Sequence, residues 1–486
     1  MKDKRITDLT TGTPRTVLWR FCLPLFASII FQQLYNIADS FIAGKFIGEN
    51  ALAAVGNSYE ITLIFIAFAT GCNMACSVIA SQLFGAKEYG LMKTAIYTAM
   101  ISVAVLCGIL ILFGIVSTDW MLEIMNTPEA IYADSKLYMD IYIWGLPFLF
   151  FYNMATGIFS AMGDSKTPFV FLAISSTANI AINWLFVAVL DMGVAGVAWA
   201  TFLCQGVSCL LAVVTIFRRL NSMPEKDITR KDTANEQNES DDMRNDNDND
   251  EENVQSRSGQ KIYEIKYYDM DIFKKFVSLA VPSILQQSSI SIGNIIIQGA
   301  INDCGVGVTA GYAAGIKLSN LVITAFTTLG NGISNFAAQN IGAGKMERVR
   351  AGHKAGIQMV WSLCVPIVLV YTLGARPLIA FFIDNPTELA LNSGMHFLYV
   401  CAPFYFLISV KLATDGILRG AGMMKEFVIA TTLDLILRVV LVKILVVPLG
   451  YIGIWMAWPI GWILGTSLSL SFYWRHFVKK KGIANA

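Results

Sequence analysis

Long apolar runs alternate with short polar connections over almost the whole chain. A helix that crosses a bilayer needs about 20 apolar residues, and about twelve segments meet that requirement. They are residues 16–44, 51–81, 91–117, 133–161, 167–190, 194–219, 271–302, 309–340, 349–374, 388–419, 425–448 and 451–475. Because helices satisfy their own backbone groups in hydrocarbon, the pattern predicts an all-α integral membrane protein.

One long polar stretch interrupts this pattern. Residues 221–265 contain the run NEQNESDDMRNDNDNDEENVQ, which has hardly an apolar side chain. Such a segment cannot bury a core, so we expect an acidic, disordered cytoplasmic linker. A regulatory or metal-binding tail is the alternative. The linker separates a predicted N-lobe, residues 1–220 with six spans, from a predicted C-lobe, residues 266–486 with six more.

The two halves resemble each other. With a shift of about 257 residues, Pro24 falls near Pro282, and SQLFGAKEYGLMKTA (81–95) meets AQNIGAGKMERVRAG (338–352). GVAGVAWA (193–200) likewise meets GYIGIWMA (450–457). Each half has six spans, so both halves begin and end on one side of the membrane. The sequence therefore predicts two six-helix lobes related by a pseudo-two-fold axis along the membrane normal, as in transporters built from parallel repeats.

Charge assigns the orientation and excludes one class of partner. Lys and Arg cluster before the first span and after the even-numbered spans, whereas the other connections carry mainly acids such as Asp119 and Glu123. This positive-inside pattern predicts that both termini lie in the cytoplasm. Only 15% of residues are charged and the net charge is +1, so the composition favours a lipid bilayer and gives no reason for nucleic-acid binding.

Cysteine and histidine are arranged without metal-site spacing. The chain has nine cysteines and three histidines, and no CxxC motif. Cys72 and Cys76 are one helical turn apart, but thiols in apolar runs usually act as small packing residues. We therefore expect no cofactor other than a coupling ion, H⁺ or Na⁺.

Asp39 stands inside the first span, LPLFASIIFQQLYNIADSFIAGKFIG (23–48). Placing a carboxylate in hydrocarbon costs about 2.5–3.5 kcal/mol on insertion scales, so such groups usually face an ion or substrate pathway. The alternative is that Asp39 extends to water at the helix end or pairs with Lys45.

Three further oxygen-bearing residues are predicted at a depth similar to that of Asp39. Asn179 and Asn183 are one turn apart on the fifth span, and Thr201 lies about two turns into the sixth. Carboxylate, amide and hydroxyl oxygens suit a hard cation such as Na⁺, and the same set would tune a protonatable acid. We interpret Asp39, Asn179, Asn183 and Thr201 as a cation-coupling site; the alternative is that the asparagines only link helices by hydrogen bonds.

A second set is predicted to contact substrate. Aromatic and methionine surfaces adapt to varied apolar ligands, and aromatic faces attract organic cations. The expected substrate-binding residues are Gln33, Tyr35, Asn36, Phe150, Asn153, Met154 and Gln287.

The second half carries different charges. Ile297 stands in the place of Asp39, and Asp434 and Arg438 stand in the places of the two asparagines. These two charges are one turn apart, and we expect them to form a structural or gating ion pair. Asp415, one turn from Lys411 and Arg419, is expected to form a solvated ion-pair cluster.

The chain resembles the multidrug and toxic compound extrusion (MATE) family, and is most similar to the MepA-like bacterial multidrug efflux pumps. The resemblance covers all of the chain except residues 221–260. It is carried by FQQLYNIADSFIAGKFIGENALAAVGN (31–57), GAKEYG (85–90), GLPF (145–148), GIFSAMGDSKTP (157–168), GVAGVAWATFLCQ (193–205) and GILRGAGMMK (416–425).

The resemblance implies efflux of organic, cationic compounds in exchange for H⁺ or Na⁺ by alternating access between two lobes, without enzymatic activity. It also implies that Asp39, Asn179, Asn183 and Thr201 are the cation site of the N-lobe. The chain lacks the seventh-span acid of some branches, so a C-lobe cation site is not expected. We expect a monomer that transports drug-like molecules.

Two other functions remain as alternatives. A lipid-linked oligosaccharide flippase of related fold would need a cavity rich in Arg and Lys for pyrophosphate. A membrane-embedded enzyme would need a convergent catalytic set, and the sequence suggests none.

Overall fold

The computed structural model describes residues 7–125, 127–223, 265–383 and 386–479. Within these ranges the side chains of residues 34–41, 43–44, 49 and 52 are not described. The predicted linker, residues 221–265, therefore lies almost entirely outside the described residues.

The first half forms seven helices. They are α1 Pro14–Ile42, α2 Glu49–Gly85, α3 Tyr89–Ile124, α4 Glu129–Trp144, α5 Leu146–Ala161, α6 Lys166–Trp184 and α7 Gly193–Ser222. A π-helical turn follows α1 at Ala43–Ile47, and another follows α6 at Leu185–Val189.

The second half repeats this order with one extra short helix. Its members are α8 Met270–Asn302, α9 Val306–Gly342, α10 Met346–Leu373, α11 Ala375–Ala380, α12 Glu388–Cys401, α13 Tyr405–Gly420, α14 Met424–Leu449 and α15 Tyr451–Tyr473. A 3₁₀ turn at Ala402–Phe404 joins α12 to α13, and a π-helical turn at Trp474–Lys479 follows α15.

The predicted all-α membrane fold is confirmed. Eight helical segments in the described ranges are long and apolar enough to cross a membrane, and α4 with α5, bent by 51°, makes a ninth. The bend falls at Gly145, just before Pro147, whose ring cannot continue a regular helix. Helices α8, α14 and α15 complete the expected number of about twelve. Polar and tryptophan residues lower the hydropathy of α8 and α15, and α14 carries the charged residues Asp434, Arg438 and Lys443.

The repeat is visible in the backbone. Left-handed conformations, which favour glycine, recur at equivalent places in the two halves. The pairs are Gly48 and Gly305, Lys87 and Gly344, Gly163 and Gly422, and Gly193 and Gly450. Each pair lies at the same junction of the six-span order, so both halves use the same turns.

The first helix of each lobe also packs against the other lobe. Helix α1 packs on α6 in its own half and on α9 and α10 in the other. Helix α8 packs in the equivalent way, on α14 in its own half and on α2 and α3 in the other. A movement of either helix would therefore change its contacts with both lobes.

The lobes are in closest contact where α2 crosses α9. A Cβ on Gly85 would collide with the backbone of Gln339, and a Cβ on Gly342 would collide with the backbone of Gln82. The four residues are related by the repeat, so the same contact is made twice. Only glycine allows two helix backbones to approach this closely.

We expect Gly85→Leu to force α2 and α9 apart, because overpacking a tight contact costs about 1–3 kcal/mol. Unfolding of the purified protein in mixed micelles of increasing SDS content measures the loss. Gly108→Leu on α3 is the matched control, since a Cβ there meets nothing within 4 Å. Equal stability of the two variants would show that the crossing does not hold the lobes together.

Candidate substrate cavity and cation site

A cavity of 210 Å³ lies between the two lobes. Helices α1, α2, α5 and α6 line it from the N-lobe, and α9 lines it from the C-lobe. Its polar lining residues are Thr70, Asn73, Ser77, Thr156, Ser160, Thr328, Asn331, Ser334 and Asn335, and the others are Leu25, Met74, Val78, Gly157 and Pro168. The described lining thus offers amides and hydroxyls beside a larger apolar surface, a mixture suited to an organic molecule with polar groups.

Hydrogen bonds between the lobes close one end of the cavity. Gln82 Nε2 donates to the Gly420 carbonyl oxygen at 2.9 Å, and Gln339 Nε2 donates to the Ala161 carbonyl oxygen at 2.7 Å. These contacts are again equivalent under the repeat. They lie beside the α2–α9 crossing, on the face that the positive-inside pattern assigns to the cytoplasm.

The segment before α1 strengthens this closure. Its Thr7 amide donates to the Gly163 carbonyl oxygen of the N-lobe at 3.0 Å. From the C-lobe, Asn340 and Arg348 donate to the carbonyl oxygen of Leu9, whose side chain is fully buried. Arg348 also donates to the carbonyl oxygens of Thr11 and Gly12. In the described part of the chain, these hydrogen bonds join the lobes at the face that the positive-inside pattern assigns to the cytoplasm.

The predicted cation site is described for three of its four residues. Asn179, Asn183 and Thr201 are all buried. The Asn179 Oδ1 atom has no hydrogen-bond partner among the described residues, and Thr201 borders a small pocket beside α4. The side chain of Asp39 lies outside the described residues.

The helices that carry this set do pack together. Helix α1 packs on α6, α6 packs on α7, and the π-helical turn after α1 reaches α7. The backbone thus brings the span of Asp39 beside the spans of Asn179, Asn183 and Thr201. The coordination itself remains a prediction.

None of the predicted substrate-binding residues with a described side chain is among the residues that line the cavity. Phe150 and Met154 are fully buried in the N-lobe core. Asn153 Nδ2 donates to the Leu149 carbonyl oxygen of its own helix at 2.8 Å, and Gln33 and Gln287 are half-buried. Tyr35 and Asn36 are outside the described side chains.

Sequence reasoning did not identify the amides that line the cavity. Asn73 lies on α2, and Asn331 and Asn335 lie one turn apart on α9. The signal was present, because two amides at i and i+4 in an otherwise apolar span share one face. The sequence of either span alone does not show that these amides line the same cavity from opposite lobes.

The C-lobe contains a buried charge cluster. Lys411 Nζ lies 2.8 Å from Asp415 Oδ2 and also donates to Thr431, while Ser469 donates to Asp415 Oδ1 at 2.6 Å. Lys411 is 3% exposed and Asp415 is 1% exposed. The expectation of a solvated cluster is therefore wrong, because α13, α14 and α15 pack over these side chains.

Asp434 and Arg438 lie within ion-pair distance. Arg438 Nη2 is 3.2 Å from Asp434 Oδ1, and the guanidinium stacks 4.3 Å from the centre of the Trp458 ring. Both side chains are buried, and the Asp434 carboxylate packs directly on Gly461. The structural or gating role of this pair remains a prediction.

Comparison with known proteins identifies a family. The MatE family model matches the chain twice, over residues 24–185 and 282–444, which together make up more than half of its length. The two matches coincide with the two repeats.

Curated relatives match along nearly the whole chain. The probable multidrug resistance protein YpnP of Bacillus subtilis is 26% identical over 470 residues, covering 96% of both proteins. The probable multidrug resistance protein NorM of Thermotoga maritima is 21% identical, covering 94% of this chain and 92% of that protein. An FAD transporter of Shewanella oneidensis is 20% identical and covers 83% of this chain and 81% of that protein.

Solved structures show the same fold. A multidrug resistance MATE family transporter in an outward-facing conformation superimposes with a TM-score of 0.84 at 20% identity, covering 99% of this chain and 100% of that one. A MOP superfamily transporter from Pyrococcus furiosus also reaches 0.84 at 20% identity, with 98% and 99% coverage.

We expect Asp434→Asn to destabilise the C-lobe, because it leaves the buried Arg438 without its counter-charge. Breaking one partner of a buried pair costs about 3–5 kcal/mol. SDS unfolding of the purified protein measures this cost. Glu388→Gln, which breaks the exposed pair with Arg376, is the matched control and should cost less than about 1 kcal/mol. A cost for Asp434→Asn as small as that of the control would contradict the assignment.

Proposed function

Because this chain belongs to the MATE family of membrane transporters, we propose that it exports organic compounds from the cell in exchange for H⁺ or Na⁺ by alternating access. The observation that carries the proposal is the cavity between two repeated lobes, closed by hydrogen bonds at the face assigned to the cytoplasm. Such an arrangement suits release of cargo to the outside.

The class of substrate is supported by the cavity and by the names of relatives. Two of the relatives described above are called probable multidrug resistance proteins. The cavity of this chain combines amide and hydroxyl groups with Met74 and aliphatic residues, which can repack around different ligands. We therefore propose drug-like organic molecules as substrates, with the positive charge that the sequence analysis predicts.

Asp39 is the proposed coupling acid. It lies on α1, which packs on α6 in its own lobe and on α9 and α10 in the other. Binding or release of a cation at Asp39 would change the packing of α1, and both lobes would respond. A cation that binds one conformation better than the other shifts the balance between them by that difference in affinity.

We further propose a monomer of the MepA-like type in a bacterial plasma membrane, with both termini in the cytoplasm. The basic residues of the connections support this orientation. Transport rather than enzymatic activity follows from the family.

The flippase alternative has less support. It requires buried cations that are free to bind pyrophosphate. Lys411 and Arg438 both lie beside carboxylates, those of Asp415 and Asp434. Only Arg419 among these three C-lobe cations is without a carboxylate partner in the described residues, and it donates to the Asn331 amide oxygen and to the Asp415 carbonyl oxygen, so the cavity does not have the several cations that pyrophosphate needs.

We expect Asp39→Asn to reduce gradient-driven efflux by at least about tenfold, because the amide carries no charge with which to exchange a cation. Purified protein in liposomes, with an imposed Na⁺ gradient or an imposed pH gradient, would export a fluorescent organic cation. The gradient that drives wild-type efflux identifies the coupling ion.

Asp271→Asn is the matched control, since the Asp271 side chain is 92% exposed at the start of α8. It should transport like the wild type. Undiminished efflux by Asp39→Asn would remove Asp39 from the mechanism. If neither gradient drives wild-type efflux, the antiport proposal fails and lipid-linked substrates become the next test.

A further inference from the structure

The C-lobe wall of the cavity presents hydrogen-bond donors. Asn331 and Asn335 are one turn apart on α9, and both line the cavity. An amide side chain offers an oxygen that accepts and a nitrogen that donates, so its partners decide which end is left for a ligand.

Asn331 is oriented by a buried guanidinium. Arg419 Nη1 donates to Asn331 Oδ1 at 2.8 Å, and Arg419 Nε donates to the backbone carbonyl oxygen of Asp415. Arg419 is 3% exposed, and it forms no ion pair with any carboxylate in the described part of the chain. The carboxylate of Asp415 is instead occupied by Lys411 and Ser469. The Asn331 amide nitrogen is therefore left to donate to a ligand, and the positive charge of Arg419 lies next to the same side chain.

Hydroxyl groups of the N-lobe orient the Asn335 amide in the same way, by binding its oxygen. Its Oδ1 atom accepts from Ser77 Oγ at 2.7 Å and from Ser81 Oγ at 3.1 Å. Both hydroxyls come from α2, so the contact also spans the lobes. With its oxygen occupied twice, Asn335 likewise has its amide nitrogen left over for a ligand.

We propose that Asn331 and Asn335 bind a carboxylate of the transported compound. Two amide donors on one helix face, with a guanidinium behind them, favour an anionic acceptor, because hydrogen bonds to a charged partner are the stronger ones. No acidic side chain lines the described part of the cavity, so nothing there repels such a group.

The remaining lining accommodates the rest of the molecule. Leu25, Met74, Val78 and Pro168 supply apolar surface in the same cavity. The substrate class is therefore zwitterions with an apolar body, which carry a carboxylate besides the proposed positive charge. This inference rests on the proposed efflux function and specifies its substrates.

A matched pair of dyes tests the inference. Rhodamine 110 carries a free carboxylate, and rhodamine 123 is its methyl ester, so the pair differs only in the proposed anchor. Fluorescence anisotropy measures the affinity of the purified protein for each dye. Transport in liposomes is then measured separately for both, under a Na⁺ gradient and under a pH gradient.

Asn335→Asp is the key variant, because it retains an oxygen for Ser77 and Ser81 and replaces the free amide donor by a second oxygen. We expect wild type to bind the acid about tenfold more tightly than the ester, and the variant to lose that preference while still binding the ester. Asn331→Asp, which neutralises Arg419, should act in the same direction. Ester binding confirms that each variant is folded.

The outcomes distinguish a failure of the carboxylate site from a failure of the antiport function. Equal binding of acid and ester by wild type, or a preference that survives both substitutions, would overturn the carboxylate site. Failure to bind either dye would overturn it as well. If the binding preference is found but neither gradient drives transport of either dye, the antiport function fails and the carboxylate site stands.

Discussion

The contact of α2 with α9 is the constraint on which the rest of the structure depends. Gly85 and Gly342 let two helix backbones touch at equivalent points of the repeat, where any side chain would collide with Gln339 or Gln82. This approach brings the glutamine side chains within reach of the opposite lobe, where they donate to carbonyl oxygens at the face that the positive-inside pattern assigns to the cytoplasm. Beyond the crossing, the same two helices line the cavity from opposite lobes and contribute most of its polar residues.

Polar groups in an apolar interior must find partners, and both lobes pair buried charges internally. The N-lobe pairs Asp164 with Arg219, and the C-lobe pairs Lys411 with Asp415 and Arg438 with Asp434. Arg419 instead bonds to Asn331 at the cavity wall. The N-lobe has amides and a hydroxyl beside the span of Asp39. A symmetric fold thus holds asymmetric chemistry, which would allow the proposed coupling ion and cargo to use different lobes.

The first helix of each lobe packs against both lobes, so the chemical difference between the lobes has a mechanical consequence. Helix α1 packs on both lobes, and α8 does so in the equivalent way. A change at either helix therefore alters contacts on both sides of the cavity. Tight packing favours a small number of discrete arrangements over continuous deformation, which is the property that the proposed alternating access requires.

The sequence by itself determined the membrane fold, the repeat and the two-lobe order, because apolar length, charge asymmetry and recurring glycines are local properties of the chain. It also pointed to an ion pair at Asp434 and Arg438, since an i, i+4 spacing on one helix is enough to allow it. Burial of Lys411 and Asp415, and the cavity of Asn73, Asn331 and Asn335, required the tertiary structure. These features depend on which helix faces cover each other, and that is decided by packing between segments far apart in the sequence.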